Sequence, residues 1–554
     1  MMAIPHVVVV GCLLLLVSGA AAGLDTTPVK PVLWQQTHQS MIKSVAAGVL
    51  PATSSRGALP VMLIGSQGIG DEEVEVIHPR NGSLLWSSTA LKQWTYTVAL
   101  QPVVMSATGG GELQRGVAGF GCSFSGHAKG TPPPPPLKLG FWPDAGGSAS
   151  APSWQVVIPN STQNSGVGPP KVHFSGDGRS LLILYHGEQS FDGQDLEYLG
   201  VLSVDNPTTV PMVTTLLGTG YGHKLLVLRP AAADPPVAAK PAPTLALVTR
   251  ANMTYIGGNE VGEVEEHFTM HYSSAPGSPV VVSATPIIDC NRTGDCHILA
   301  SSPDLSQIVV SVGGGSVSAH FPDIALCKYE LTNPWRWGVA LLTADGAGTG
   351  GSWPYAGYSL SWVKCSADDK FPGTRKLASV HIVNTGSVVM TFTHMNGVGS
   401  GSGADGIEAC AFSSAAGGDE IWCTANVPIT PPMSLYEATD TLLPNAMGSA
   451  GHIAVAIAQF GILAVDGAAK AQPAFQMVYE PASNDDCCMP TALEIVTEQA
   501  KQQEAGVGLE AEAASVVATL VASIPNGKMD GVWCRCFGSK LVGVALTPST
   551  PDRA

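Results

Sequence analysis

Short apolar runs separated by turn residues fill most of this chain. The runs are rich in valine, isoleucine, leucine and threonine, and they end at glycine, asparagine, aspartate or proline. Early examples lie at residues 60–65, 73–77, 94–98 and 154–158. Runs of this length, bounded by turn-forming residues, are typical of β-strands. The pattern therefore predicts an all-β fold.

A strand–turn–strand phrase recurs along the chain. Its clearest copy has strands at 180–185, 196–204 and 208–217, preceded by Asp177-Gly178, a pair that suits a tight turn with positive φ. Further copies lie at residues 74–86 and 452–479. One small antiparallel sheet cannot cover both of its faces, so repeated sheets are expected to stack around an axis. We expect a β-propeller.

The turn motifs also carry a family resemblance. Residues 175–184, and the segments 78–86 and 461–467, resemble blades of the quinoprotein-like and WD40-like β-propeller superfamily. The resemblance implies a propeller of seven or eight blades with long insertions. No Gly-His and Trp-Asp pair stands at blade spacing, so a true WD40 repeat is not supported. A pair of β-sandwiches remains the alternative.

Proline-rich and glycine-rich stretches supply the expected insertions. Residues 131–136 and 231–243 are proline-rich and predict semi-rigid spacers of polyproline II type. Residues 345–352 and 397–406 are rich in glycine and serine and predict loops.

The C-terminal segment, residues 487–554, changes character from the propeller predicted over 23–486. Thr491 and Glu494 form a capping box, which predicts a helix from 491 to about 505. A second helix is predicted from 509 to about 524, followed by a last strand at 541–546. Closure of a propeller pairs late strands with early ones. We therefore expect 541–546 to share a sheet with 60–64.

The first 22 residues predict a signal peptide. Residues 7–17 are aliphatic apart from Gly11 and Cys12, a run shorter than the roughly 20 apolar residues of a membrane-spanning helix. Three alanines at 20–22 provide a small-residue cleavage site. We expect a mature chain that starts at Gly23, has no membrane span and is secreted or lumenal. An uncleaved anchor is the alternative.

Two further features agree with that compartment. The chain has 12 cysteines, and those that remain after signal cleavage can form disulfides in an oxidising lumen. Four Asn-x-Ser/Thr triplets are candidate glycosylation sites. The acceptor asparagines are Asn81, Asn160, Asn252 and Asn291.

Two cysteine doublets allow competing pairings. The disulfide candidates are Cys290, Cys296, Cys487, Cys488, Cys534 and Cys536. A disulfide from Cys487 or Cys488 to Cys534 or Cys536 would close a loop of about 45–50 residues. Such a bond would contribute roughly 3–5 kcal/mol in the chain-entropy model. A vicinal Cys487–Cys488 ring is the alternative. Such a ring occurs in some quinoprotein dehydrogenases.

The charge balance limits the partners. The chain has 27 Lys and Arg against 43 Asp and Glu, a net charge of −16. With no basic excess to neutralise phosphates, we do not expect a nucleic acid partner. A protein or a carbohydrate ligand is the expected class.

No catalytic, metal or cofactor site is predicted from motifs. His267 and His271 have the i, i+4 spacing of a metal pair, but Phe268 stands where the zinc-protease helix needs Glu, and the flanking residues favour a strand. Residues 121–126 lack the second glycine of a nucleophile elbow, and residues 65–70 lack the lysine of a phosphate loop. The sequence thus favours a binding module and no cofactor. An enzyme on the same scaffold, either a quinoprotein-like oxidoreductase or a hydrolase, is the alternative.

Overall fold

The structure of the protein is a computed structural model, and it describes β-strands and some of the turns between them. The described residues are 32–39, 41–50, 59–67, 74–91, 94–101, 116–122, 136–143, 151–158, 171–174, 178, 180–186, 196–205, 207, 213–219, 225–227, 244–256, 259–272, 282–290, 298–302, 306–311, 337–344, 358–365, 375–384, 386–394, 406–428, 443–457, 461–480, 490–498, 517–530 and 533–546. Within these ranges there are 33 strands and no helix. The all-β prediction is confirmed there.

The strands form eight antiparallel sheets, numbered here in chain order. The first strand in the described ranges is β1 (Val32–His38), which belongs to the eighth sheet. The first sheet contains β2 (Met41–Leu50), β3 (Leu59–Gln67), β4 (Val74–Ile77) and β5 (Leu84–Ser88). The second contains β6 (Trp94–Leu100), β7 (Val117–Cys122), β8 (Lys138–Trp142) and β9 (Trp154–Val157). The third contains β10 (Lys171–Phe174), β11 (Ser180–His186), β12 (Leu196–Ser203) and β13 (Val213–Thr219). The fourth contains β14 (Leu225–Val227), β15 (Thr244–Ile256), β16 (Asn259–Tyr272) and β17 (Val282–Cys290).

The second half of the chain repeats this plan. The fifth sheet contains β18 (Ile298–Ser301), β19 (Gln307–Ser311), β20 (Gly338–Ala344) and β21 (Tyr358–Cys365). The sixth contains β22 (Arg375–Val383), β23 (Ser387–His394), β24 (Gly406–Ser413), β25 (Glu420–Cys423) and the short β26 (Val427–Pro428). The seventh contains β27 (Asn445–Met447), β28 (His452–Ile457), β29 (Gly461–Asp466) and β30 (Gln476–Tyr479). The eighth contains β31 (Ala492–Glu498), β32 (Val517–Asp530) and β33 (Trp533–Leu546), together with β1.

Consecutive sheets pack face to face at the six junctions whose apolar clusters are described. Each described apolar cluster draws side chains from two neighbouring sheets; for example, Trp86 of the first sheet and Trp142 of the second share one cluster. Other clusters join the second sheet to the third, the fifth to the sixth, the sixth to the seventh, the seventh to the eighth and the eighth to the first. The first strands also contact one another, as β2 does with both β6 and β31. Small sheets stacked in chain order around their first strands make a β-propeller.

Burial on both faces explains the apolar runs that the sequence shows. All six residues of β28 are buried, and so are the six central residues of β23. A strand that faces a neighbouring sheet on each side has no solvent face, so its sequence loses the polar alternation. Outer strands have a solvent face, as the alternating exposure of Gln155 and Val157 in β9 shows.

The N-terminal strand closes the eighth sheet. β1 pairs antiparallel with β33, from Val32 opposite Val544 to His38 opposite Ser539. The prediction that the last strand pairs with an early one is confirmed, but its expected partner is wrong. Residues 60–64 lie in β3, inside the first sheet. Because β1 precedes that sheet and supplies the missing strand, β3 pairs with β2 and β4 instead.

The predicted C-terminal helices are wrong wherever the structure describes them. Residues 492–498 form β31 and 517–524 belong to β32. Residues 499–516, the remainder of both predicted helices, lie outside the described ranges. Leu493, Ile495 and Val496 are buried on both faces of the eighth sheet. Burying each such side chain contributes about 1.5–3 kcal/mol, more than the capping box and helix propensity supply.

Candidate functional site

A polar cluster lies between the fifth and sixth sheets. On β24, Ile407 and Ala409 join the apolar cluster shared with the seventh sheet, whereas Cys410 joins the one shared with the fifth. Successive side chains of a strand point to opposite faces. Glu408 therefore lies on the same face as Cys410, towards the fifth sheet.

The strand register brings two more polar side chains to that face. His394, the last residue of β23, pairs with Gly406 and is thus diagonal to Glu408, while Cys423 of β25 lies directly opposite Cys410. The His394 Nε2–Glu408 Oε2 distance is 2.8 Å. The Cys410 Sγ–Glu408 Oε1 distance is 3.6 Å, and Cys410 and Cys423 form a disulfide with a Cα–Cα distance of 4.1 Å. We call these four residues the Glu408 cluster.

The cluster is enclosed by apolar neighbours. The side chains of His394 and Glu408 are 12% and 11% exposed, and Cys410 is buried. Phe392, the cross-strand neighbour of Glu408, packs against Trp337, the residue just before β20 of the fifth sheet, with ring centroids 4.9 Å apart. A buried carboxylate is costly unless it is paired. The imidazole of His394 provides that partner.

The donor set of this cluster suits a metal ion. One carboxylate oxygen of Glu408 and the sulfur atoms of Cys410 and Cys423 all lie within 4.8 Å of one another. Thiolates and a carboxylate are ligands of Zn²⁺ in proteins. In the structure the two sulfurs are bonded to each other, so the set is available to a metal only after reduction.

Sequence analysis missed this cluster. The predicted disulfide candidates included the cysteine doublets, whose members are close in sequence. Cys410 and Cys423 are 13 residues apart and belong to no recognisable motif. A usable signal was present: the turn at 414–419 makes a hairpin of β24 and β25, and a hairpin register can place the two cysteines opposite each other.

The predicted disulfide cysteines lie where their side chains are not described. Cys534 and Cys536 belong to β33 and Cys290 ends β17, while Cys296, Cys487 and Cys488 fall outside the described ranges. Both doublet pairings therefore stay predictions. Cys365, at the end of β21, is disulfide-bonded as well.

Asn81 is the acceptor asparagine whose surroundings are described. It lies exposed in the turn between β4 and β5, where its Oδ1 accepts a hydrogen bond from the backbone N–H of Ser83 at 3.0 Å. Asn252 lies in β15, in a part of the chain whose side chains are not described, and Asn160 and Asn291 fall outside the described ranges. His267 and His271 lie in strand β16, as predicted.

A second surface of interest is the junction between the eighth and first sheets. Trp34 Nε1 of β1 donates to Pro79 O at 2.6 Å, and Gln36 Nε2 donates to Gly82 O at 2.5 Å. Leu33 and Leu84, from the outer strands β1 and β5, are 46% and 56% exposed. We call β1, β5 and the turn 78–83 the outer seam.

Across the described ranges, no helix has the length and apolarity that a membrane crossing requires.

Comparisons with known proteins find similarity of structure only. No protein-family model matches the sequence, and no curated protein matches it. The chain is similar to the Dos1 propeller at 10% identity and a TM-score of 0.43, covering 94% of this chain and 96% of that one. It is similar to the WD40 domain of SCAP from fission yeast at 11% identity, with 92% and 87% covered and a TM-score of 0.31. It is also similar to a europium-containing methanol dehydrogenase at 7% identity, with 93% of each chain covered and a TM-score of 0.33. The fold assignment rests on the strand pairing of this chain itself.

Proposed function

We propose that this protein is a secreted or lumenal glycoprotein that acts as a binding module on an eight-bladed propeller, one blade for each described sheet. Residues 1–22 serve as its signal peptide. In the first, second, sixth, seventh and eighth sheets, the described apolar clusters show both faces packed against neighbouring sheets. Partners therefore have the outer strands and the connecting segments to contact.

The observation that carries this proposal is the outer seam. β1 pairs with β33 and β5 pairs with β4, and in the described ranges each has one strand neighbour only. Edge strands with an unpaired backbone side accept a further strand, and alternate side-chain contacts then give specificity. Leu33 and Leu84 present apolar side chains on these two edges. We propose that an extended segment of a partner protein adds there.

Charge favours a basic partner. The net charge of −16 attracts cationic proteins and raises their association rate, an effect that salt screens. Binding should therefore weaken as ionic strength rises.

A direct test uses the full-length secreted protein and a double variant, Leu33→Glu with Leu84→Glu. Ala415→Glu with Ala416→Glu is the matched control, because it adds the same charge at two exposed residues of the turn after β24. Proteins captured from the surrounding fluid by the wild type are identified and purified, and their affinities for all three forms are measured at low and high salt.

We expect at least a tenfold loss of affinity for the seam variant and little change for the control. Equal binding by all three forms would overturn the outer seam as the site. Binding that glycosidase treatment of the partner abolishes would identify a carbohydrate ligand and overturn the protein partner.

A further inference from the structure

The Glu408 cluster has a rigid frame that does not depend on its disulfide. Next to the disulfide, Thr424 binds Ala409 twice: its backbone N–H donates to Ala409 O at 2.8 Å, and its Oγ1 accepts from Ala409 N at 2.9 Å. On the other side, Ser413 N donates to Asp419 O at 2.8 Å and closes the hairpin turn. These bonds hold β25 on β24 whether or not the sulfurs are joined.

The next sheet braces the same hairpin. Trp422, adjacent to Cys423, is buried and donates its indole N–H to Ala469 O of the seventh sheet at 2.8 Å. β26 pairs with β24 through Val427 and Ile407. After reduction, the two sulfur atoms would therefore stay close together beside Glu408.

Two close thiols next to a buried carboxylate resist ionisation unless a cation joins them. Three negative groups in an apolar site repel each other and lose hydration. A divalent ion that accepts two thiolates and one carboxylate removes both costs. In tetrahedral Zn²⁺ sites the Zn–S distances are about 2.3 Å, which places two sulfurs about 3.8 Å apart. Facing cysteines with a Cα–Cα distance of 4.1 Å reach that separation by side-chain rotation.

His394 completes the arrangement as a positioning residue. Its Nε2 binds Oε2 of Glu408, whereas the Cys410 sulfur lies next to Oε1. A ligating carboxylate is commonly oriented by a hydrogen bond from outside the ligand set. His394 leaves Oε1 facing the sulfurs.

We propose that Cys410, Cys423 and Glu408 form a redox-controlled Zn²⁺ site: a disulfide when oxidised, and three ligands of Zn²⁺ when reduced. A dithiol reductant transfers two electrons and two protons to the disulfide and is itself oxidised to a disulfide. Zn²⁺ then displaces the protons of both thiols, and water takes the fourth position. This site is independent of the outer seam.

The test uses the full-length protein, reduced with a phosphine under anaerobic conditions and titrated with Co²⁺ as a spectroscopic probe, with Zn²⁺ in competition. Thiolate-to-cobalt charge transfer reports sulfur ligation. The Cys410→Ser and Cys423→Ser double variant removes the site, while the Cys487→Ser and Cys488→Ser double variant is the matched control that retains it.

We expect the wild type and the control to bind one Co²⁺ that the Cys410/Cys423 variant does not bind. We expect Glu408→Gln and His394→Gln to weaken Zn²⁺ about 10–100-fold, as changes in or next to a ligand set do. The unreduced protein should show no thiolate–cobalt band from this site.

Equal thiolate–cobalt absorbance in the reduced wild type and the Cys410/Cys423 variant would overturn the proposal. If the serine variant fails to fold, Glu408→Gln decides, because it leaves both sulfurs and the hairpin bonds in place. Unchanged Zn²⁺ affinity and cobalt spectrum in that variant would also overturn it.

Discussion

Single indole groups connect neighbouring sheets at four places in the described ring. Each belongs to the outermost strand of its sheet and donates to a backbone oxygen at or beside the connection between the third and fourth strands of the next sheet. The four bonds are Trp34 to Pro79 O at 2.6 Å, Trp154 to Val204 O at 3.0 Å, Trp362 to Ser413 O at 2.9 Å and Trp422 to Ala469 O at 2.8 Å. A buried polar atom needs such a partner, so each bond fixes how two sheets meet.

The turn that receives Trp34 is shaped for it. Gly82 has a φ of 69°, which favours glycine, and a Cβ at that position would stand 2.7 Å from the Trp34 ring. Gly418 has a φ of 60°, and a Cβ at that position would stand 2.8 Å from the Trp362 ring. One small residue thus provides both the turn and the space for the indole.

We predict that Trp422→Phe lowers the free energy of unfolding by about 1–2 kcal/mol, because the ring remains buried but Ala469 O loses its donor. Urea unfolding followed by circular dichroism measures this change. Ile421→Val is the control, since Ile421 is exposed and its truncation should cost less than about 0.5 kcal/mol. Equal midpoints for the two variants would contradict the role of the indole bond.

The burial of His381 is expected to make the free energy of unfolding depend on pH. His381 lies in β22, and burial lowers its pKa from 6.5 to about 4. Below pH 6.5 the unfolded chain binds a proton that the folded chain excludes, so the free energy of unfolding falls as the pH drops from 6.5 towards 4. The loss over that window is roughly 3 kcal/mol.

The His381→Gln variant should lack this slope. Denaturant unfolding at pH 7, 5 and 4 gives the free energies, and the comparison uses their change with pH because the substitution itself alters stability at every pH. A slope in the variant equal to that of the wild type would assign the acid sensitivity to other groups.

At the level of strands, the junction between the eighth and first sheets depends on the backbone of one residue of strand β2. Three hydroxyl groups of the eighth sheet contact the backbone of Ile42 in the first sheet. Ser539 Oγ accepts from Ile42 N at 3.0 Å, and Thr491 Oγ1 and Ser523 Oγ donate to Ile42 O at 2.9 and 3.3 Å. Together with the β1–β33 pairing, these bonds join residues nearly 500 positions apart.

We predict that removing residues 535–554 lowers the melting temperature of the whole molecule, because it deprives both β1 and β32 of their partner strand. Removing residues 547–554, beyond the end of β33, is the control and should leave the melting temperature unchanged. Differential scanning calorimetry compares the three proteins. A single unchanged transition in the longer deletion would contradict closure by β33.

For the whole molecule, the proposed secretion has two covalent consequences, a cleaved amino terminus and an attached glycan. We predict that the secreted protein begins at Gly23 and carries a glycan on Asn81, which is exposed in its turn. Amino-terminal sequencing and the gel shift after glycosidase treatment measure both. Ser83→Ala should abolish the shift from this site, and Ser83→Thr should preserve it, because the acceptor triplet accepts either hydroxyl residue. A secreted chain beginning at Met1 would contradict signal cleavage.

Local sequence was enough for the strands whose apolar runs end at turn residues, although it was wrong for β31 and β32. The apolar runs at 180–185, 452–458 and 461–465 correspond to β11, β28 and β29, and Gly178 has the positive φ expected of the turn before β11. Strand-forming runs and turn residues act over a few neighbouring positions, so they are visible in one sequence. The repetition of such units was enough to predict a propeller.

Pairing between distant segments was decided by the tertiary structure. β1 is a short polar-rich strand that gains its role only because β33 offers an edge. Residues 492–498 carry a capping signal for a helix, yet burial of Leu493 and Ile495 outweighs it. The Glu408 cluster exists because the register of three strands aligns His394, Glu408, Cys410 and Cys423 on one face. Sequence therefore determined the strands that are bounded by turn residues, whereas β31 and β32, the closure and the polar cluster were set by contacts whose free energy appears only once distant strands meet.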